Sequence, residues 1–217
     1  MQLRFLCLIC LSLLSDSSIA EQRLVVGEFS AGRLENWEAH EFEQLTDYRL
    51  VEDGPGNRVL KAEGRASASG LYHKQRIDLE KTPFMHWRWK VVQPLSKKVQ
   101  ERTKAGDDYV ARLYVLVDGG LRFWQTKSIN YVWASNLPQM TVWPNAYAGN
   151  SVMMLALRAR EAQLNTWYNE TRNVREDFKQ LMGQEFRFID AVALMTDTDN
   201  SREAATALYG DIYFSDQ

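Results

Sequence analysis

Residues 85–91 read Met-His-Trp-Arg-Trp-Lys-Val, a strict alternation of large apolar side chains with charged or polar ones. Period 2 in β-forming residues marks a half-buried strand. It sets Met85, Trp87, Trp89 and Val91 on a buried face and His86, Arg88 and Lys90 on the opposite one. Further alternating or apolar runs occur at 109–117, 151–160, 186–195 and 205–214. Shorter ones lie at 24–29, 48–52, 58–63, 70–77, 128–133 and 166–171. Turn signals separate them, among them Asp53-Gly54-Pro55-Gly56-Asn57, Asp118-Gly119-Gly120, Trp143-Pro144-Asn145 and Asp199-Asn200-Ser201. About ten strands at this spacing predict an all-β sandwich or barrel and exclude a chain of βαβ units.

One helix is expected at 173–182. Asn173 can cap it, with Glu176 three residues later, and Gly183 can end it. Val174, Phe178, Leu181 and Met182 form one apolar stripe for packing on a sheet. The segment 97–104 is polar and reads as a loop between strands.

The N-terminus has the layout of a secretory leader: Arg4, an apolar run over 5–14, then Ser18-Ile19-Ala20 before the expected cleavage point. Residues 21–217 are then expected to be one mature domain, periplasmic or secreted. Both cysteines, Cys7 and Cys10, fall in the leader, so the mature chain is expected to use no disulfide and no thiolate. No later stretch approaches the ~18 apolar residues of a membrane-spanning helix. Lys+Arg is 26 and Asp+Glu is 28, a balance without the basic field that nucleic acid requires.

The chain has no phosphate loop, dinucleotide fingerprint, zinc-protease motif or nucleophile elbow. Its three histidines, His40, His73 and His86, are scattered. Three constellations remain. The first is cationic and aromatic: Arg88, Arg112, Tyr114, Trp133 and Arg158, on strand faces that form one basic patch if those faces coincide. Arginine forks grip carboxylate, sulfate or phosphate, and aromatic faces stack on sugar rings. The alternative is an internal network in which Arg112 and Arg158 pair with Asp107, Asp108 or Glu170. The second is Asp197-Thr198-Asp199-Asn200, whose hard oxygens suit a structural calcium but lack the glycine and glutamate of an EF-hand loop. The plainer alternative is a polar turn, with no cofactor. The third is acid/base: Glu170 and Asp177, and likewise Asp107 and Asp108, are candidate carboxylates for glycoside hydrolysis, which needs two of them roughly 5–10 Å apart. Seven tryptophans are more than a core of this size needs, which points to a ligand face.

Several strings occur in a recognisable order. They are Gly106-Asp107-Asp108-Tyr109 with Ala111-Arg112, Tyr131-Val132-Trp133-Ala134, Arg172-Asn173-Val174 with Asp177-Phe178, 195–200, and Tyr209-Gly210-Asp211-Ile212. Together they resemble the bacterial "domain of unknown function 3047" family over most of the mature chain, from about Phe29 to Phe214. That resemblance implies an exported protein without an assigned activity. More loosely, the closing Gly210-Asp211-Ile212-Tyr213-Phe214 is similar to the last hairpin of galactose-binding-like jelly rolls. It implies an antiparallel β-sandwich of jelly-roll type with one short helix, a sugar-binding face, and a structural calcium near that end. Fold alone does not set function. Three readings stay open: an envelope module binding a glycan or other anionic ligand, a glycan-active enzyme, or an assembly factor without a small ligand. The oligomeric state is open as well.

Overall fold

The computed structural model describes residues 22–96, 98–120 and 126–217. The expected leader, with both cysteines, lies outside them. The first sheet contains β1 (Arg23–Gly27), β3 (Asp47–Glu52), β4 (Arg58–Arg65), β6 (Phe84–Gln93), β11 (Tyr168–Asn173), β13 (Ala204–Tyr209) and β14 (Ile212–Ser215). The second contains β2 (Glu38–Glu43), β5 (Ala68–Asp78), β7 (Arg112–Val117), β8 (Lys127–Trp133), β9 (Val142–Asn145), β10 (Gly149–Arg158) and β12 (Phe188–Met195). The order is β1-β14-β6-β13-β4-β3 in the first, with β11 also on β6, and β2-β5-β12-β7-β8-β10-β9 in the second. The two sheets form a β-sandwich with one α-helix, α1 (Val174–Met182). No helix among the described residues is long and apolar enough to cross a membrane.

The alternation in β6 builds the core as expected. Met85, Trp87, Trp89 and Val91 are buried. Trp87 meets Tyr131 of β8 at 5.4 Å, and Trp89 meets Trp133 edge-on at 6.1 Å, so aromatic rings from opposite sheets fill the space between them. Each buried aromatic contributes roughly 1.5–3 kcal/mol by leaving water. Among the described residues the tryptophans thus serve the core: Trp37, Trp87, Trp89, Trp133 and Trp143 are buried, and Trp167 is half-buried.

Helix α1 follows its expected signals. The Asn173 side chain accepts the Glu176 amide at 3.0 Å, and left-handed Gly183 (φ 66°) closes the end by donating to Lys179. Glu176 accepts from the Gln180 side chain instead of returning a bond to the cap.

Four features depart from the sequence reading. β8 and β10 pair in parallel, because the chain leaves β8, passes β10's place to form β9, and hairpins back between them. Strand β2 was not predicted; its side chains are all exposed, so it carries no apolar alternation. Strand β9 contains Pro144 and reads as a turn, yet it is an edge strand, where a missing N–H is tolerated. The run 205–214 is split at Gly210-Asp211, where the Gly210 amide donates to the Arg88 carbonyl and β13 and β14 continue along the same strand β6.

Candidate functional site

The structure does not gather Arg88, Arg112, Tyr114, Trp133 and Arg158 at one cleft. β6 lies in the first sheet and β7, β8 and β10 in the second, so their polar faces do not coincide. The five residues separate into three places.

Arg112 and Tyr114 lie on the outer side of the second sheet, away from the core-facing Leu113 and Val115. Arg112 is buried and donates to Asp197 Oδ2 at 2.7 Å, with Asp107 at 3.8 Å. Its guanidinium lies 4.9 Å from the ring centres of both Tyr109 and Tyr114. Burial disfavours its charge, but Asp197, Tyr114 and Asp107 outweigh burial and hold the proton more firmly than usual. Burial pushes the Asp197 carboxyl well up, against the pull of Arg112, and Asp108 and Asp107 push it further. Burial also raises Asp107, again opposed by Arg112. Here the internal-network alternative describes the geometry. The node ties 107–111 to the β12–β13 turn: Asp197 accepts the Tyr109 amide, and Asp108 accepts the amides of Asn200 and Ser201.

The carboxylate oxygens of Asp108, Asp197 and Asp199 come within 4.8 Å of one another. The protein itself already engages much of this donor set. Both oxygens of Asp108 and of Asp197 already accept N–H bonds, and a guanidinium stands against Asp197. Calcium takes 6–8 oxygen ligands, and the arginine charge beside Asp197 opposes a cation there.

Arg158 and Trp133 belong to the edge between the sheets. Arg158 binds Glu170 with two bonds, 2.6 and 3.1 Å, and Trp89 Nε1 donates to the same carboxylate at 2.9 Å. Glu170 stands opposite Trp87 in the β11–β6 ladder and faces inward, so its oxygens clamp one sheet to the other. Trp133 packs against Trp89 and Tyr168. A second clamp joins Arg172, Asp177 and the Tyr131 hydroxyl, which donates to Asp177 at 2.7 Å.

Arg88 alone of the five points out from the first sheet. Its side chain crosses Gly210, where a Cβ would stand 2.5 Å from Arg88 Cγ, so only glycine permits this path. It reaches Asn57 Oδ1 and lies 4.6 Å over Trp167. Next to it Lys90 binds both oxygens of Asp53 at 2.6 Å, and Trp167 Nε1 donates to Asp53 at 2.8 Å. Partial burial opposes the Asp53 charge, but the bonds from Lys90 and Trp167 outweigh it and hold the carboxyl below its usual value. Beside this strut runs a groove of about 390 Å³ with His86, Arg88, Asn169, Thr171, Asp211 and Tyr213 in its lining. His86 stacks on Tyr213 at 4.6 Å and 9°, its ring nitrogens meet Thr171 and Ser215, and Asp211 is steadied by the Ser30 amide at 2.8 Å.

Sequence reasoning found Arg88 here but missed Asn169, Thr171, Asp211, Tyr213, Trp167 and Asp53. The face of Asn169 and Thr171 follows from their pairing with Arg88 and His86, once the β11–β6 register is known. For Asp53 the only local signal was a turn.

No curated protein matches the chain. Among solved structures, it is similar to the glycoside hydrolase domain of Endo-D from Streptococcus pneumoniae (13% identity, 83% of this chain and 22% of that chain, TM-score 0.38). It is similar to a family 29 carbohydrate-binding module mutant complexed with cellulohexaose (8% identity, 91% and 93%, TM-score 0.41). It is also similar to the xyloglucanase domain of a type three effector from Sinorhizobium fredii (10% identity, 82% and 92%, TM-score 0.45). The chain spans about a fifth of the first of these and nearly all of the other two. The model of a family described as "protein of unknown function (DUF3047)" matches residues 35–213, and the chain belongs to that family.

Proposed function

We propose that this protein is an exported glycan-binding β-sandwich that holds a saccharide in the groove across β11, β6 and β14. One observation carries the reading. The groove is open, has a volume of about 390 Å³, and presents the Asn169 amide, hydroxyls, the Arg88 guanidinium and the Asp211 carboxylate from β11, β6, β14 and the β13–β14 link, beside an imidazole bonded to Thr171 and Ser215. A saccharide offers hydroxyls that both donate and accept, and this mixture answers both roles. A rigid sheet also holds such groups in place better than loops do. Arg88 adds a preference. It hydrogen-bonds the neutral Asn57 and meets Asp53 only through the field, so its guanidinium keeps donors for the carboxylate of a sugar acid.

The test is a saccharide panel, neutral and uronate-bearing, followed by calorimetry on the parent and two variants. Asn169 is exposed, so Asn169→Ala should keep the melting temperature while weakening binding about 2–10-fold. Arg88→Gln should weaken uronate binding by roughly tenfold or more and neutral sugar binding less. If no saccharide binds, or both variants bind like the parent, the reading fails. Export is tested separately: N-terminal sequencing of the processed protein should begin at Glu21.

A further inference from the structure

A pocket of about 430 Å³ opens at the end of the sandwich, where β6, β8 and β10 leave their sheets. It is separate from the groove and differs in chemistry. Leu95, Val110 and Ala134 are buried walls, and Trp133, 2% exposed, is among the lining residues. Leu164, 42% exposed, stands at the rim. The neighbouring Asn165 holds that rim in place. It adopts a left-handed conformation (φ 58°), which asparagine tolerates better than most residues, and its amide donates to the Val91 carbonyl at 2.8 Å. On the opposite side Glu101 accepts the Ser135 and Asn136 amides and fixes the backbone there. Trp133 is locked edge-on by Trp89 and Tyr168. The pocket is therefore formed before any ligand arrives.

Among the described residues that line it, the cation is Arg160. Arg112, Arg158 and Arg172 each hold a carboxylate. Arg160 makes no ion pair among the described residues and lines the pocket. Apolar walls with one guanidinium select a molecule of matching polarity, and a volume of this size lies within the roughly 300–1,000 Å³ range of small-molecule clefts. The geometry points to a second ligand site that takes a small amphipathic carboxylate, its apolar body among Leu95, Trp133 and Leu164 and its carboxylate on Arg160.

Octanoate and 1-octanol are the probes, since they share a body and differ in charge. Calorimetry should show one octanoate per chain, bound roughly tenfold or more tighter than octanol. Arg160→Gln should erase that preference while leaving octanol binding unchanged. Leu164→Glu, which sets a carboxylate at the rim, should weaken octanoate binding by a similar factor. In the parent, octanoate should also shift the Trp133 indole N–H resonance. Failure of the folded parent to bind octanoate overturns the proposal, as does equal affinity in parent and Arg160→Gln. If Arg160→Gln does not fold, unchanged octanoate affinity in Leu164→Glu overturns it.

Discussion

Arg112→Met removes the charge and all five donors while keeping most of the apolar stem. Arg112 is buried, bonded to Asp197 at 2.7 Å and set between two tyrosine rings. Breaking a buried pair from one side costs about 3–5 kcal/mol, because the partner must either keep a charge it cannot solvate or take up a proton to lose it. For a chain of this length that lowers the melting temperature by roughly 6–20 °C. The loss should depend on pH. Burial holds Asp197 and Asp107 above the ordinary carboxylate range, so the folded chain binds protons there that the unfolded chain has released. Stability from such groups is fully present below about pH 4 and is lost as pH climbs through the raised native values. Arg112 opposes that rise, so the cost of its removal grows over the same window. Urea denaturation followed by tryptophan fluorescence at about pH 4, 6 and 8 should show the smallest parent–variant gap at the acid end. Asp197→Asn in the variant background should return part of the loss. A gap below about 1 kcal/mol, or one independent of pH, would refute the reasoning.

Substitutions at three further positions test the frame. Gly106→Ala places a Cβ 2.5 Å from the Gln100 backbone and should destabilise by about 1–3 kcal/mol in chemical denaturation; a neutral effect would mean this loop is free to move. Trp87→Ala empties a buried site between the sheets and should cost ~3–5 kcal/mol, read from the same urea curves. Asn173→Ala removes the cap of α1 and should cost about 1 kcal/mol, while Asn173→Gly should cost only a few tenths.

What the sequence determined by itself was local. Alternation in 85–91 named the buried and exposed faces of β6, because successive side chains of a strand must point opposite ways. Asn173 and Gly183 named both ends of α1, because helix ends leave backbone groups that only nearby residues can satisfy. Arg112 on an apolar strand announced that it needed a partner. Which partner was a tertiary matter: Asp197 lies 85 residues away in the chain and meets Arg112 across the β7–β12 pair. Tertiary structure likewise decided which faces coincide. Period 2 says that Arg88, Arg112 and Arg158 each share a face with certain neighbours, but it carries no information on which sheet a strand joins. Strand pairing put β6 in one sheet and β7 and β10 in the other, and so divided an expected patch into a groove, a buried node and a clamp. The groove itself depends on the β11–β6 register, which sets Asn169 beside Arg88, and on Gly210, whose missing side chain leaves room for Arg88. Register and close approach arise from contacts between distant segments, and no single segment encodes them.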